Sequence, residues 1–420
     1  MREATKHMEL VCIECGKARR PGDAYPMSCE CGGLLEVAHD FRRADAEKLK
    51  ALFDARLALR TGPYASGVWR YKELIDPELE EARIVTRGEG NTGLYDCAPA
   101  ARFAGVRRVW LKAQGENPSG SFKDNGMTAS VSRGVAAGYR AFACASTGNT
   151  SSSLAMYAAW AGLRCVVLVA PGGVAASKLM QTLAYGAEVH GIEGGYDAGV
   201  TFLNRRGEAL GLYVCNSVNP FRIEGQKSMV IEAAHQLGWT LPDWIVLPGG
   251  ALSNASALGK GLLEMKEIGL IERVPRIAVV QAEGASPFHR MVASGGGELV
   301  PEPAPRTAAS AIRIGNPPSW RKAARVLREC GGVTCAVSDE EIMAAKRVID
   351  RAGVGCEPAA AAGLAGLRKL AADGRIGRDE TTLVVLTGHL LKDADATGMP
   401  VPGLEPLAPD ELFSRLSGSR

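Results

Sequence analysis

Long apolar runs are missing from this 420-residue chain. No stretch approaches the roughly 18 residues that would suggest a membrane span, and the opening Met-Arg-Glu-Ala-Thr-Lys-His-Met-Glu has no apolar core of signal-peptide length. The expectation is a cytoplasmic protein with no membrane contact. Charge of one sign is also scarce, with a formal net charge of only +3. Basic residues are spread along the chain rather than gathered with aromatic neighbours, which argues against nucleic acid as a partner. No internal repeat of solenoid period is present. What remains is a chain with 46% hydrophobic residues, long enough to bury more than one core, so two or three structural units are expected.

Within that chain, Asn117 to Gly126 reads Asn-Pro-Ser-Gly-Ser-Phe-Lys-Asp-Asn-Gly. It places Lys123 among small and turn-forming residues just before a helical run. An amine becomes a nucleophile towards an aldehyde when burial or a nearby positive group disfavours its ammonium form, and the product is a Schiff base. Pyridoxal phosphate (PLP) is the cofactor that exploits this chemistry, so Lys123 is the expected catalytic residue and cofactor anchor.

Three further segments supply what such a site needs. Cys144 to Ser152 follows an apolar run and leads into a helical pattern, collecting hydroxyls and amide hydrogens where a helix begins and an anion is favoured. The buried-strand pattern Trp244 to Leu247 runs into Pro-Gly-Gly-Ala-Leu-Ser-Asn, so Gly249, Gly250, Ala251, Leu252, Ser253 and Asn254 form a turn that exposes backbone amides to a phosphate. Thr382 to Leu386 is a short β-rich run ending in Thr387-Gly388-His389. A neutral hydroxyl there, that of Thr387, could hydrogen-bond the pyridine nitrogen of the cofactor.

Cysteine usage marks off an amino-terminal module. Four of the eleven cysteines fall within twenty residues, Cys12 and Cys15 as C-x-x-C and Cys29 and Cys31 as C-x-C, each pair with glycine close behind. That spacing is zinc-ribbon-like, and four thiolates can hold a structural metal that stabilises a segment too short to fold on its own core. A disulfide pair and a vestigial site without metal are the competing readings. The other cysteines, such as Cys144, Cys165 and Cys215, lie in or beside apolar runs and read as buried small hydrophobes.

The rest alternates strand and helix. The pattern predicts strands at Arg108–Ala113, Ala141–Ala145, Cys165–Ala170 and Glu188–Gly191, with helices at Ser121–Ala137, Ser152–Ala161 and Ala176–Tyr185. A second succession has strands near Trp244–Leu247, Arg276–Gln281 and Thr382–Leu386, with helices near Ser256–Ile268, Asp339–Ala352 and Ala359–Ala372. Such alternation predicts parallel sheets covered on both faces, hence two doubly wound α/β domains with a cleft between them. The expected division is 1–40 for the cysteine module, 41–110 and 221–420 for a large domain, and 111–220 for a smaller one. Ser286 to Pro305, rich in glycine and proline, is expected to be a mobile connection.

With these residues in view, the chain resembles the threonine synthase family of fold type II, tryptophan synthase β-like PLP enzymes. The resemblance spans nearly the whole length and rests on segments in the family's order. They are Gly-Glu-Gly-Asn-Thr at 88–92, the lysine motif, Ser-Thr-Gly-Asn-Thr at 146–150, Asn-Ser-Val-Asn-Pro-Phe-Arg-Ile-Glu-Gly-Gln-Lys at 216–227, the glycine turn, Ile-Gly-Asn-Pro-Pro-Ser-Trp at 314–320, Gly-Cys-Glu-Pro-Ala at 355–359 and Thr-Gly-His at 387–389. It implies conversion of O-phosphohomoserine and water to threonine and phosphate, with a small amino-acid phosphate as the partner. It further implies that Lys123 shuttles protons and Asn149 contacts the cofactor's phenolic oxygen. Ser146, Thr147 and Thr150 would hold the substrate carboxylate or phosphate, and Asn216, Ser217 and Arg222 the substrate phosphate. Fold type II relatives are often dimers, so a homodimer is expected.

Departures from the family pattern accompany the matches. The turn usually reads Gly-Gly-Asn-Leu-Gly-Asn, so Ala251 and Ser253 replace an asparagine and a glycine; Gly93 replaces a proline, and Leu390 a glycine. Each is expected beside cofactor or substrate, and together they leave open a lyase or β/γ-replacement enzyme acting on a different activated, phosphorylated amino acid. A cofactor-binding paralogue without activity is a third reading, against which the retention of Lys123, Asn149 and Arg222 argues.

Overall fold

The computed structural model describes residues 8–20, 28–170, 176–397 and 406–417. It is an α/β protein whose described residues form three sheets. The first is antiparallel, with β1 (Met8–Cys12) between β2 (Ala18–Arg19) and β3 (Leu35–His39). Alternation turns Met8, Leu10 and Cys12 inward to meet Leu35 and Val37.

β4 (Leu94–Asp96) and β5 (Arg108–Ala113) then open a second sheet. The chain leaves it to build a separate four-stranded sheet from β6 (Ala141–Ala145), β7 (Arg164–Val169), β8 (Glu188–Gly191) and β9 (Leu212–Val214), all parallel in the order β8-β7-β6-β9. It returns with β10 (Trp244–Pro248), β11 (Arg276–Ala282), β12 (Val333–Val337) and β13 (Thr381–Leu386). The completed sheet has the order β12-β11-β10-β13-β5-β4 and is parallel except at its β4–β5 edge.

Burial on both faces explains why these strands read as continuous apolar runs. Ile245, Leu247, Ile277 and Val279 enter one core, while Trp244, Val246, Ala278 and Val280 enter the core on the opposite face. In the smaller sheet Phe142 and Cys144 face one core, and Ala143 and Ala145 another. Helices supply the covering layers. Two of them, Lys123–Ala136 and Pro220–Gln236, cross backbone to backbone. A Cβ at Gly225 would lie 2.1 Å from the Asn125 carbonyl oxygen, and one at Gly126 would lie 2.7 Å from that of Arg222. Glycine on both sides of the crossing fixes the lysine helix against the arginine helix.

Ser286 to Pro305, the expected connection, contains regular structure: Pro287–Ala293 is helical, with Pro at its start, and the Glu302 N–H donates to Gly315 O at 2.8 Å. The boundary at residue 110 would cut through β5, which pairs along its whole length with β13. No described helix is long and apolar enough to cross a membrane.

Candidate active site

The lysine loop and the end of β13 are joined directly. Ser121 and Gly388 form an antiparallel bridge, the Phe122 N–H donates to Thr387 O at 3.0 Å, and the His389 N–H donates to Gly120 O at 2.9 Å. Asp124 fixes the loop from the other side. Its carboxylate accepts the Ser119 N–H and hydroxyl, each at 2.6 Å, and the Ser153 hydroxyl at 2.5 Å, which ties the loop to the Asn149–Trp160 helix. Lys123 is the first residue of the Lys123–Ala136 helix, so its direction follows from these constraints.

Lys123 faces a cavity of about 1000 Å³. Its ammonium would lie in a poor solvent. Burial, and then the charge of the nearby Arg222 guanidinium, bring its pKa down to about 7, against the opposing pull of Glu357. Nζ lies 4.2 Å from the centroid of the Phe122 ring. An amine in this state is substantially neutral at neutral pH, which is the form a carbonyl requires.

Of the expected cofactor residues, Lys123, Asn149, Gly250, Ala251, Ser253, Asn254 and Thr387 line the cavity. Gly249 and Leu252 are buried within the turn. Leu252 sits at φ 65° as the residue before the Ser253–Ile268 helix, and the Asn254 amide donates to Pro248 O at 2.8 Å, closing the turn on itself. Among the expected substrate residues, Ser146, Thr147, Thr150, Asn216 and Ser217 line the same cavity. The Asn216 side chain exchanges two 3.1 Å hydrogen bonds with the Ala145 backbone, holding its segment beside the Ser146 loop. Ser217 Oγ, buried, has no hydrogen-bond partner among the described residues.

Arg222 stands behind that wall. It is 0% exposed, and its Nη1 donates to Cys215 O at 2.7 Å. Of the departures, only Ala251 and Ser253 line the cavity. Gly93 lies apart from it. Its N–H donates to Glu116 at 2.5 Å, a bond proline could not make, and the Tyr95 ring fills the space where a side chain would go. Leu390 packs at Gly355 instead of the cavity.

Sequence reasoning assigned no role to two residues on the wall, Glu357 and Lys392. Glu357 immediately precedes the Pro358–Ala372 helix and receives both Asn149 amide bonds, at 3.1 and 3.0 Å. Burial raises its pKa, although the Asn149 bonds work the other way. A Cβ at Gly388 would meet Glu357 Oε1 at 2.3 Å, so the glycine of Thr-Gly-His makes room for this carboxyl. Lys392 donates to Gln181 at 2.6 Å, Ser152 at 2.9 Å and the Ser119 carbonyl at 3.1 Å. The signal for Glu357 was its place in Gly-Cys-Glu-Pro-Ala; for Lys392 there was none beyond proximity to Thr-Gly-His.

In the cysteine module the four Sγ atoms lie within 4.8 Å of one another. Cys12 and Cys31 are 3.5 Å apart and Cys15 and Cys29 3.7 Å, against the roughly 3.8 Å edge of a tetrahedron with bonds of about 2.3 Å. Gly33 admits this packing, since a Cβ there would lie 2.6 Å from Cys12 Sγ.

Two α/β sheets, with a buried lysine at a helix start on a cavity that a glycine turn and a strand-end threonine also line, define a fold type II PLP enzyme. Comparison with known proteins agrees: the family described as pyridoxal-phosphate dependent enzyme matches residues 85–388. The chain is 43% identical to threonine synthase of Methanosarcina acetivorans over 91% of its own length and 92% of the relative's, and 41% identical to threonine synthase of Methanocaldococcus jannaschii over 92% and 93%. It belongs to the threonine synthase family. Among solved structures, threonine synthase from Escherichia coli superposes with a TM-score of 0.71 at 19% identity, covering 97% of this chain and 94% of that one. Diaminopropionate ammonia lyase from the same organism gives 0.64 at 16%, covering 80% and 92%; at these identities the likeness is one of fold.

Proposed function

We infer that this chain converts O-phosphohomoserine and water to L-threonine and phosphate with PLP as cofactor. The observation that carries the reading is the Lys123 amine, brought to about 7 at the edge of a cavity that also presents the glycine turn, Thr387 and the Ser146–Thr150 loop. The residues fit the cofactor. A Cβ at Gly250 would lie 3.1 Å from Ala311 O, so the turn is a close backbone cradle at a helix start, suited to the cofactor phosphate. Thr387 offers a neutral hydroxyl to a ring nitrogen, and the Asn149 amide, which here donates to Glu357, would give up one of those bonds for a phenolic oxygen. When bound, PLP supplies an electron sink for carbanions next to the amino group.

The protein's own groups do the rest. Lys123 Nζ, with a pKa near the working pH, takes and returns protons at substrate carbons. Ser217 Oγ, without a hydrogen-bond partner among the described residues, and Arg222 bind the phosphate that leaves. Ser146, Thr147 and Thr150 hold the carboxylate at the start of a helix. The Cys12, Cys15, Cys29 and Cys31 set would hold one structural zinc, a reading supported by the sulfur spacing and testable by elemental analysis of protein purified without chelator. A cytoplasmic homodimer completes the proposal, the location resting on cysteine usage; sedimentation tests the dimer.

Phosphate release from O-phosphohomoserine by the purified yellow enzyme is the deciding assay. A specific observation keeps a second reading in view: Ala251 and Ser253, both unusual for the family, line the cavity. An enzyme that releases phosphate faster from another phosphorylated amino acid would move the assignment to that substrate.

A further inference from the structure

The cysteine module is seated on the helix that carries Arg222. Its core of Met8, Leu10, Cys12, Cys29, Leu35 and Val37 takes in one buried side chain from outside the module, Phe221. Phe221 lies in the first turn of the Pro220–Gln236 helix and is the chain neighbour of Arg222. Its ring also receives the Arg133 guanidinium, 5.0 Å from the centroid. Two residues beyond Arg222, Glu224 is bonded to His39 Nε2 of β3 at 2.6 Å. Arg222 is therefore bracketed by module contacts on either side along one helical turn.

The second contact is a firm one. Burial alone would raise the Glu224 pKa, but Lys227, then Lys260 and His39, hold it well below the carboxylate range. Lys227 lies 2.5 Å from both Glu224 and Glu264, and Lys260 bonds both carboxylates as well. His39, Glu224 and Glu264 have the composition of a metal triad, yet two ammonium groups already occupy the carboxylates. The cluster is an ion-pair lattice, and such a lattice fixes geometry more than it adds stability. The helix start is held as well by Asn219, whose side-chain oxygen accepts the Phe221 and Arg222 N–H groups at 3.0 and 3.3 Å.

The module has another seat that avoids this helix. Lys322 donates to Leu35 O at 2.5 Å, and Arg325 pairs with Glu36 at 2.7 and 2.8 Å; both cations lie on the Trp320–Glu329 helix. Stability of docking and placement of Arg222 can thus be separated.

We propose that Phe221 and the His39–Glu224 pair are positioning residues through which the cysteine module sets the Arg222 guanidinium for the substrate phosphate. This rests on the reading of Arg222 as a phosphate ligand. A guanidinium gains bidentate geometry only when its planar fork is aimed, and misplacement by about 1 Å costs up to about a hundredfold.

The experiment uses holoenzyme and inorganic phosphate as competitive probe. In Phe221→Ala the inhibition constant for phosphate and the KM for O-phosphohomoserine rise together by about tenfold, while kcat and PLP affinity stay within about twofold. Phe221→Leu restores most of the loss, and His39→Ala gives an intermediate effect. Arg325→Ala, which loosens the other seat, lowers the melting temperature and leaves the phosphate constant unchanged. Wild-type phosphate binding in Phe221→Ala and His39→Ala would overturn the proposal, as would an Arg325→Ala effect as large as that of Phe221→Ala. Should Phe221→Ala not fold, Phe221→Leu and His39→Ala decide it. Arg222→Ala is the separate arm: unchanged phosphate binding there would remove the Arg222 reading itself.

Discussion

Two parts of the cavity are suited to phosphate, and they are built in opposite ways. The Gly249–Asn254 turn works with backbone: glycines at close approach, Leu252 in the left-handed region, and an asparagine side chain spent on closing the turn. The Asn216–Arg222 segment works with side chains: a hydroxyl at the wall with no partner among the described residues and a buried guanidinium behind it. A backbone cradle suits a group that stays, because it costs little reorganisation and carries no full charge. A guanidinium suits a group that arrives charged and leaves. The comparison also explains where change is tolerated, since side chains at 251 and 253 can differ from the family pattern while the amides beneath them persist.

Lys123 faces the cavity that both parts line, and its replacement should have the largest effect. Lys123→Ala is expected to fold and to lose turnover by at least about 10⁴-fold. Borohydride reduction of the wild type followed by peptide mapping checks the anchor; a label on any other lysine would sink the assignment. Arg222→Ala comes next, lowering kcat/KM for the phosphorylated substrate about a hundredfold without displacing the cofactor, and Arg222→Lys should recover only part. If Arg222→Ala instead loses PLP, the two parts do not divide the phosphates as proposed.

A smaller effect tests the electrostatic link between them. The Lys123 amine in apoprotein should react with an acylating reagent at a rate that rises with pH through about 7, because the neutral form reacts. Removing the Arg222 charge relieves one of the two influences that depress this pKa, so the midpoint in Arg222→Ala should move upward; no movement would refute the link. Gly250→Ala should weaken PLP by about fivefold, since the added methyl would press on Ala311 O at 3.1 Å, with the phosphate inhibition constant unchanged. Ala251→Asn, the smallest change, should alter cofactor affinity by no more than about threefold if backbone amides dominate.

The sheets were readable because their strands are buried on both faces and therefore appear as apolar runs. Strands at Arg108–Ala113, Ala141–Ala145 and Glu188–Gly191 have the predicted bounds. β12 was missed, since Val-Thr-Cys-Ala-Val carries a polar residue and follows a glycine pair that reads as a turn. The Pro220–Gln236 helix was seen as a motif and not as a helix. Its buried face holds Arg222, Glu224, Gln226, Lys227, Ser228 and Glu232, so no apolar period marks it. Expected site residues that belong to a local pattern, such as Ser146 to Thr150 and Gly250 to Asn254, fall beside one cavity or in the turn that borders it. Glu357 lies in the quoted segment Gly-Cys-Glu-Pro-Ala, but its pairing with Asn149 and its fit against Gly388 join positions far apart in the chain, and the segment alone does not show them.

The place of β13 has a consequence for how the molecule is made. It is the last of the described strands to leave the ribosome, yet it lies at the middle of the large sheet, between β10 and β5. Until residue 386 emerges, those two strands have no common neighbour and both present open edges. The lysine loop likewise waits for Thr387–His389 to pair with it. Shortening the chain from its far end past Thr381 would therefore not trim a border but split the sheet, and a nascent chain halted there would be a substrate for chaperones rather than a smaller enzyme.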